Sequence, residues 1–339
     1  MDDVTHSLLY PLDWHKTAWS ALLEALKKDH LAHGLLIYGH HGVGKMHFAK
    51  ALGYLLLCDQ PQVDSVLGSL PCGQCNNCML NKAGTHPDFL VVEPEEQGKA
   101  IKVDQVRELN HFVSQTSQMS GKKVVIIEPA DAMNINSSNA LLKTLEEPSG
   151  DTHLILVVDS LSSLMATIRS RCQYYEILPP TKEQASVFLR DLYPERNDID
   201  VLVKISEQGP FYAKELVEQG KLEWRSSLSQ GLMDVCSGKS TVEIAESWKS
   251  IDLLEALHWL DIWIRDMIVM VMTQDKSRVK NADLSDLMTM VESRQVDPRF
   301  LHRYREVLSE IEEATIKSHP NKQLVYDRLL IDWKKMLGA

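Results

Sequence analysis

Gly39, Gly44 and Lys45 stand at the spacing of a phosphate-binding loop, in the run Gly39-His40-His41-Gly42-Val43-Gly44-Lys45-Met46. Glycines at such places let backbone N–H groups curl round a phosphate, and the lysine reaches toward its outer oxygens. The next position would ordinarily supply a hydroxyl to Mg²⁺. Met46 offers a thioether there, and Mg²⁺ takes hard oxygen ligands. The loop is built for phosphate but is one group short of hydrolysis.

A second cluster points to metal. Cys72, Cys75 and Cys78 are separated by two residues each, and Cys58 lies 14 positions before Cys72. Four thiolates suit tetrahedral Zn²⁺ in a closed structural site. Gly73, Asn76 and Asn77 suit the tight turns of such a knuckle. The alternatives are free buried thiols or a redox pair, and the third cysteine in register fits metal better. A structural zinc contributes on the order of 10 kcal/mol to its module. It says nothing about catalysis.

Two further places could carry phosphate chemistry. The strand Lys123–Glu128 ends in Glu128-Pro129, where a P-loop ATPase would carry Asp-Glu to hold Mg²⁺ and polarise water. Proline can do neither, and Asp131 comes two positions late. Glu128 and Asp131 are therefore expected to be solvated or capping acids. Arg171, in Ser170-Arg171-Cys172, is by bare statistics a surface ion-pair residue. Cys172 stands alone and reads as a small buried side chain.

The elements that must position these residues can be read from periodicity. Residues 1–34 look helical, with a stripe of Trp19, Leu22, Leu23 and Leu26, and Leu31-Ala32-His33 lead into the first strand; His33 reads as packed or capping. Leu35–Tyr38 is an apolar run, and Phe48, Ala49, Leu52, Leu55 and Leu56 follow Lys45 at helical spacing. Strand, glycine loop and helix together are the setting a phosphate loop requires. Strands are expected at 88–92, 123–128, 152–158 and 174–178, and helices at 101–118 and 139–148. Pro179-Pro180 marks a boundary, after which Thr181 and Gln184 form a capping box. Residues 181–220 read as a small helical unit broken at Gly209-Pro210. Everything after Lys221 is helical in period, with a polar linker at 273–283. The clearest series there is Leu253, Leu257, Leu260, Ile264, Met267 and Val271, and the last helices fall near 301–316 and 324–337.

Bulk composition bounds the remaining choices. A chain of 339 residues allows about two or three domains. Apolar content of 44% and charged content of 24% are ordinary for a globular protein. A formal charge of −11 makes the chain a poor stand-alone binder of nucleic acid. The acidic start lacks the character of a signal peptide, and acidic and basic residues break up 253–272, so no membrane span is expected. The expected location is cytoplasmic, with reduced cysteines.

Taken together, the chain resembles the delta-prime-type subunits of the bacterial DNA polymerase III clamp loader, within the AAA+ family. The match rests on Leu31–Leu36 (LAHGLL) before the loop, the four-cysteine insertion after the loop helix, Asn139–Pro148 (NALLKTLEEP) and Ser170-Arg171-Cys172. Order and spacing agree over about the first 180 residues. The segment from His319 (HPNKQL) resembles the family's closing stretch.

The resemblance implies an α/β AAA+ fold: a RecA-like parallel sheet with P-loop and zinc insertion, then a small helical lid and an all-α collar. The corresponding boundaries are 1–178 with the zinc module at 58–78, 179–220, and 221–339. It implies a stator that takes no part in turnover. It would sit in a pentameric ring with motor subunits and a delta subunit, and load the sliding clamp onto primed DNA. Arg171 would be an arginine finger supplied in trans to a neighbouring motor. No intrinsic catalysis is expected, and polymerase activity would belong to the holoenzyme. Met46, Pro129, Val158-Asp159 at the first sensor and Tyr212 at the second depart from the motor pattern. Gly39, Gly44 and Lys45 remain, so ATP or ADP binding, weak or none, stays open.

Two other readings compete. One is an ATP-hydrolysing clamp-loader motor subunit, which the four departures oppose. The other is a zinc-dependent nucleic-acid module acting alone, which the charge and the lack of basic residues interleaved with aromatics near Cys72–Cys78 oppose.

Overall fold

Parallel strands buried on both faces must be apolar at nearly every position. The chain supplies such runs at Leu35–Ile37, Val124–Ile127 and Leu154–Val158, all buried. The computed structural model describes residues 10–96, 98–119, 121–275, 278–318 and 320–338. Residues 1–9, part of the stretch read as helical, and His319, which opens the closing segment, lie outside the described residues, as do 276 and 277 of the polar linker.

In chain order the elements begin with α1 (Lys16–Lys27), β1 (Gly34–Gly39), α2 (Lys45–Leu57), β2 (Gln62–Asp64), β3 (Gly68–Leu70), α3 (Asn76–Ala83) and β4 (Phe89–Val92). Next come α4 (Val103–Ser114), β5 (Lys122–Ile127), α5 (Ile135–Glu146), β6 (Asp151–Val158), α6 (Ala166–Arg169), β7 (Gln173–Ile177) and α7 (Lys182–Leu192). Helices then follow one another: α8 (Ile199–Ile205), α9 (Pro210–Glu218), α10 (Lys221–Cys236), α11 (Thr241–Ser247), α12 (Leu253–Thr273), α13 (Ser285–Ser293), α14 (Pro298–Ser318) and α15 (Lys322–Met336). The chain divides into two compact units. One runs through Ile199 and includes Ser206–Tyr212; the other holds Asp200–Ile205 and the chain from Ala213.

The first unit carries a five-stranded parallel sheet in the order β4-β5-β6-β1-β7. This is a parallel α/β sheet of the expected kind, with β1 between β6 and β7. Alternation sends Leu35, Ile37, Val124 and Ile126 to the side of Trp19, Leu22, Phe48 and Leu52 on α1 and α2. It sends Leu36, Val125, Leu154 and Leu156 to the side of Val106, Leu109, Leu141 and Leu145 on α4 and α5. The sheet is thus covered on both faces.

Some sequence boundaries move. The N-terminal helix occupies only Lys16–Lys27, preceded by a 3-10 turn at Asp13–His15. It ends because Asp29 turns left-handed, at φ 56°, and residues 31–33 lead without regular structure into β1. The 101–118 helix closes at Ser114, since Ser117, Gln118 and Met119 are captured by Asp88 instead. The fully buried Asp88 carboxylate accepts from Ser117 Oγ at 2.9 Å, Gln118 N at 2.8 Å and Met119 N at 2.9 Å. The 139–148 helix starts earlier, at Ile135, because Asn134 caps it through Ser137 N.

The second unit is all helical among the described residues. Trp248, Trp259, Trp263 and Trp333 are all buried in it. α12 packs along α14, and Trp333 Nε1 on α15 donates to Leu232 O at 3.1 Å. Two buried cations are matched by acids: Lys221 lies 2.6 Å from Glu215 and 2.7 Å from Glu255, and Arg225 lies 3.0 Å from Asp283 with Asn281 Oδ1 at 2.7 Å. No helix among the described residues is long and apolar enough to cross a membrane.

Asp88→Ala removes a fully buried carboxylate and takes the acceptor from the backbone N–H groups of Gln118 and Met119 and from the Ser117 hydroxyl. It is expected to lower stability by about 3 kcal/mol, read from denaturant unfolding.

Candidate functional site

The phosphate loop joins the end of β1 to the start of α2, and the rest of the first unit closes on it. Gly42 and Gly44 have φ of 74° and 89°, which a side chain would strain. A Cβ on Gly42 would meet Tyr212 Cβ at 2.4 Å, and one on Gly44 would meet the Phe211 ring at 2.5 Å. Phe211 N donates to Gly42 O at 2.9 Å. Trp14 Nε1 at 2.9 Å and His15 Nε2 at 3.1 Å both meet Val43 O. His15 accepts from Leu12 N on its other nitrogen, and burial lowers its imidazole to about 3, so it stays neutral. Segment 206–212 and the 12–15 turn therefore grip the loop through its own carbonyls.

Lys45 is committed as well. It is 6% exposed, donates to His40 O at 2.8 Å and lies 2.6 Å from Asp159 Oδ1. Asp159 follows the last residue of β6, and the Tyr38–Val158 register brings it beside the loop. His41 Nδ1 stands 3.1 Å from its other oxygen. Burial works against charge on Asp159, but His41 and Lys45 outweigh it and hold the carboxyl far below the usual range. On the other flank His40 Nε2 is 3.5 Å from Glu207, whose hydrogen bond raises the imidazole against the effect of burial.

Glu128, at the end of β5, departs from expectation. It is half-buried rather than openly solvated, and burial pushes its carboxyl up to about 7, with Lys45 opposing and Glu93 adding to the rise. The sheet's carboxyl edge is packed around it, which a strand-end position in sequence does not reveal. Asp131 is exposed, as expected. These residues fit a Mg²⁺-nucleotide poorly. Met46 has no oxygen, a carboxylate occupies the lysine, and the partly protonated Glu128 is followed by proline.

The zinc cluster is brought together. The metal-binding atoms of Cys58, Cys72, Cys75 and Cys78 all lie within 4.8 Å of one another. Cys58 Sγ–Cys75 Sγ and Cys72 Sγ–Cys78 Sγ are both 3.9 Å. A Zn–S bond of about 2.3 Å in a tetrahedron gives sulfur edges of about 3.8 Å. Backbone N–H groups already aim at the sulfurs: Cys72 N to Cys58 at 3.2 Å, Cys75 N to Cys72 at 3.2 Å and Cys78 N to Cys75 at 3.4 Å. The set fits a closed structural zinc site. Asn77 ties it down, donating to Leu57 O at 3.0 Å and Asp59 Oδ1 at 2.9 Å.

Arg171 lies apart from the loop, between α6 and β7. Its Nε donates to Glu146 Oε1 at 2.7 Å, Nη2 closes on the same oxygen, and Nη1 donates to Thr167 O at 2.8 Å. The side chain is one-third exposed. Cys172 is half-buried against the α4–α5 face of the sheet, and burial raises its thiol to about 11.

Sequence reading missed Asp159 as the Lys45 partner, Phe211 and the 12–15 turn as clamps, and Glu146 as the Arg171 partner. Strand order would have found Asp159, because β6 is the neighbour of β1. Nothing local marks the others.

The family model described as "DNA polymerase III, delta subunit" matches residues 14–181, and that described as "DNA polymerase III, delta subunit, C terminal" matches 219–335. A Pseudomonas aeruginosa protein named DNA polymerase III subunit delta' is 35% identical over 97% of this chain and 98% of its own length. The Escherichia coli K12 protein of that name is 30% identical over 76% of each chain. Among solved structures, a gamma subunit-related protein of DNA polymerase III from Thermotoga maritima aligns over 93% of this chain and 99% of its own. Its identity is 17% and its TM-score 0.44.

Two measurements check the site. The purified chain is expected to carry one zinc, and Cys78→Ser to lose it, by elemental analysis. Glu128→Gln addresses the buried acid. A raised folded-state pKa means Glu128 favours folding below about 4.5 and loses that contribution as pH rises through about 7. The stability of Glu128→Gln relative to wild type should therefore rise with pH across that window, by on the order of 2 kcal/mol in denaturant titrations.

Proposed function

The chain belongs to the DNA polymerase III delta-prime subunit family, which makes it a clamp-loader subunit, and from that premise we propose that it is the loader's non-hydrolysing stator. The observation that carries this reading is the closed phosphate loop. Lys45 is spent on Asp159, and Phe211 and Tyr212 lie against the glycines that would otherwise wrap a phosphate. A nucleotide would have to displace a carboxylate from the lysine and break the Phe211–Gly42 hydrogen bond, with no hydroxyl to return for Mg²⁺. The motor alternative needs all of these to open.

In this reading Gly39, Gly44 and Lys45 serve the fold. The chain holds its place in a cytoplasmic pentameric ring with tau/gamma-type motors and a delta subunit, and the ring loads the sliding clamp onto primed DNA. Residues 1–178 form the AAA+ domain, 179–220 the lid, and 221–339 the collar that joins the ring. Cys58, Cys72, Cys75 and Cys78 hold a structural zinc that stiffens the 58–78 insertion. The link to ATP chemistry is Arg171. It supplies a guanidinium in trans to the neighbouring motor's site, where it stabilises charge on the transferring phosphoryl group. Its position in the turn between a short helix and the edge strand, one-third exposed, suits reaching outward.

The decisive experiment rebuilds the complex with every ATP site disabled except the one facing this chain. Arg171→Ala is expected to leave assembly intact and slow hydrolysis at that site by ~10³-fold or more. An unchanged rate sinks the finger assignment. A companion measurement is equilibrium binding of ATP and ADP to the isolated chain. None is expected at millimolar nucleotide, and micromolar Mg²⁺-dependent binding would return the motor reading.

A further inference from the structure

The guanidinium of Arg171 is occupied within its own chain. Nε and Nη2 both reach Glu146 Oε1, Nη1 donates to Thr167 O at 2.8 Å, and Ser170 Oγ lies 3.3 Å from Nη1. Three of its nitrogens are therefore spent, and its charge is countered by a carboxylate. A cation so paired is a weaker electrostatic stabiliser of a transferring phosphoryl group than a bare one.

Glu146 is also misplaced for helix stability. It is the last residue of α5, where the helix end is negative and an acid is unfavourable. A lysine or a neutral residue would suit that position better on local grounds. The pair is moreover open to solvent, with Arg171 33% and Glu146 48% exposed. Exposed pairs are weak and can be exchanged for a better partner. A terminal phosphate carries more charge than a carboxylate and offers the guanidinium fork two oxygens, where Glu146 meets it with one.

We propose that Glu146 is a positioning residue that parks Arg171 against its own helix and releases it when a neighbour's phosphoryl group competes. The inference rests on the finger reading of Arg171. Parking has two consequences. It fixes the finger's starting place on its own subunit, and it taxes unstimulated hydrolysis by the fraction of time Arg171 is held. Once DNA and clamp draw the subunits together, the competition is won by phosphate and the tax disappears.

The test uses the one-site complex, with and without DNA and clamp. Glu146→Gln keeps the size of the side chain and removes its charge. It is expected to raise unstimulated hydrolysis about two- to fivefold, the range set by the strength of exposed pairs, with less effect on the stimulated rate. Glu146→Asp, charged but one methylene shorter, should fall between. In an Arg171→Ala background neither change should matter, which a merely structural role of Glu146 would not produce. If Arg171→Ala slows hydrolysis but Glu146→Gln leaves the unstimulated rate unchanged or lowers it, parking is wrong and the finger reading stands. If Arg171→Ala has no effect, both fall. Assembly and zinc content of each variant show that the subunit is folded.

Discussion

Two opposite charges 2.6 Å apart, Lys45 on the phosphate loop and Asp159 at the end of the neighbouring strand, set the character of the first unit. A P-loop is a device for holding several negative oxygens with backbone dipoles and one lysine. Here the negative group is supplied by the chain. Once it is in place, the rest follows as charge balance and packing. His41 takes the second oxygen of Asp159, Glu128 is pushed toward neutrality by burial that Lys45 only partly offsets, and Phe211 and Tyr212 seal the glycines. Each of these contacts is modest. Together they convert a loop that elsewhere opens for nucleotide into a packed corner.

The same economy runs through the polar interior. Several buried charged groups in this protein have partners aimed at them. Asp88 receives Ser117, Gln118 and Met119; Lys221 sits between Glu215 and Glu255; Arg225 meets Asp283 and Asn281 beneath the Trp263 ring. Such pairs add little net energy but are costly to break singly. They specify where helices and loops meet, while the leucine, isoleucine and tryptophan cores supply the burial. The zinc cluster does by coordination what a small insertion cannot do by burial, because β2, β3 and α3 expose much of their length.

Arg171 shows the opposite arrangement. It is held, but by an exposed acid at an unfavourable helix end, so its partner can be exchanged. A sealed phosphate loop and a loosely held arginine fit one another in the proposed stator, whose contribution to ATP chemistry would be made outside its own site. In that proposal the first removes turnover from the chain, and the second leaves a charge available for a neighbour.

Much of this was legible in the residues. The parallel strands are apolar runs of the right length, the glycine loop stands between strand and helix, and the cysteine spacing alone pointed to a tetrahedral site. These are local signals: period, turn chemistry and ligand spacing depend on neighbours a few positions away. Met46 and Pro129 likewise revealed missing chemistry without any coordinates. What filled the gap could not be read that way. Asp159 lies 114 residues from Lys45, Glu146 25 from Arg171, and Tyr212 170 from Gly42, intervals written out by the sequence numbering. Their meetings depend on strand order, on register and on where a segment folds back. Even Glu128, whose identity was plain, was taken for a solvated acid, because its protonation is set by what buries it. Sequence determined which groups were present and which were absent; the tertiary structure decided their partners and their charge, because electrostatics acts through distances in space that chain separation does not encode.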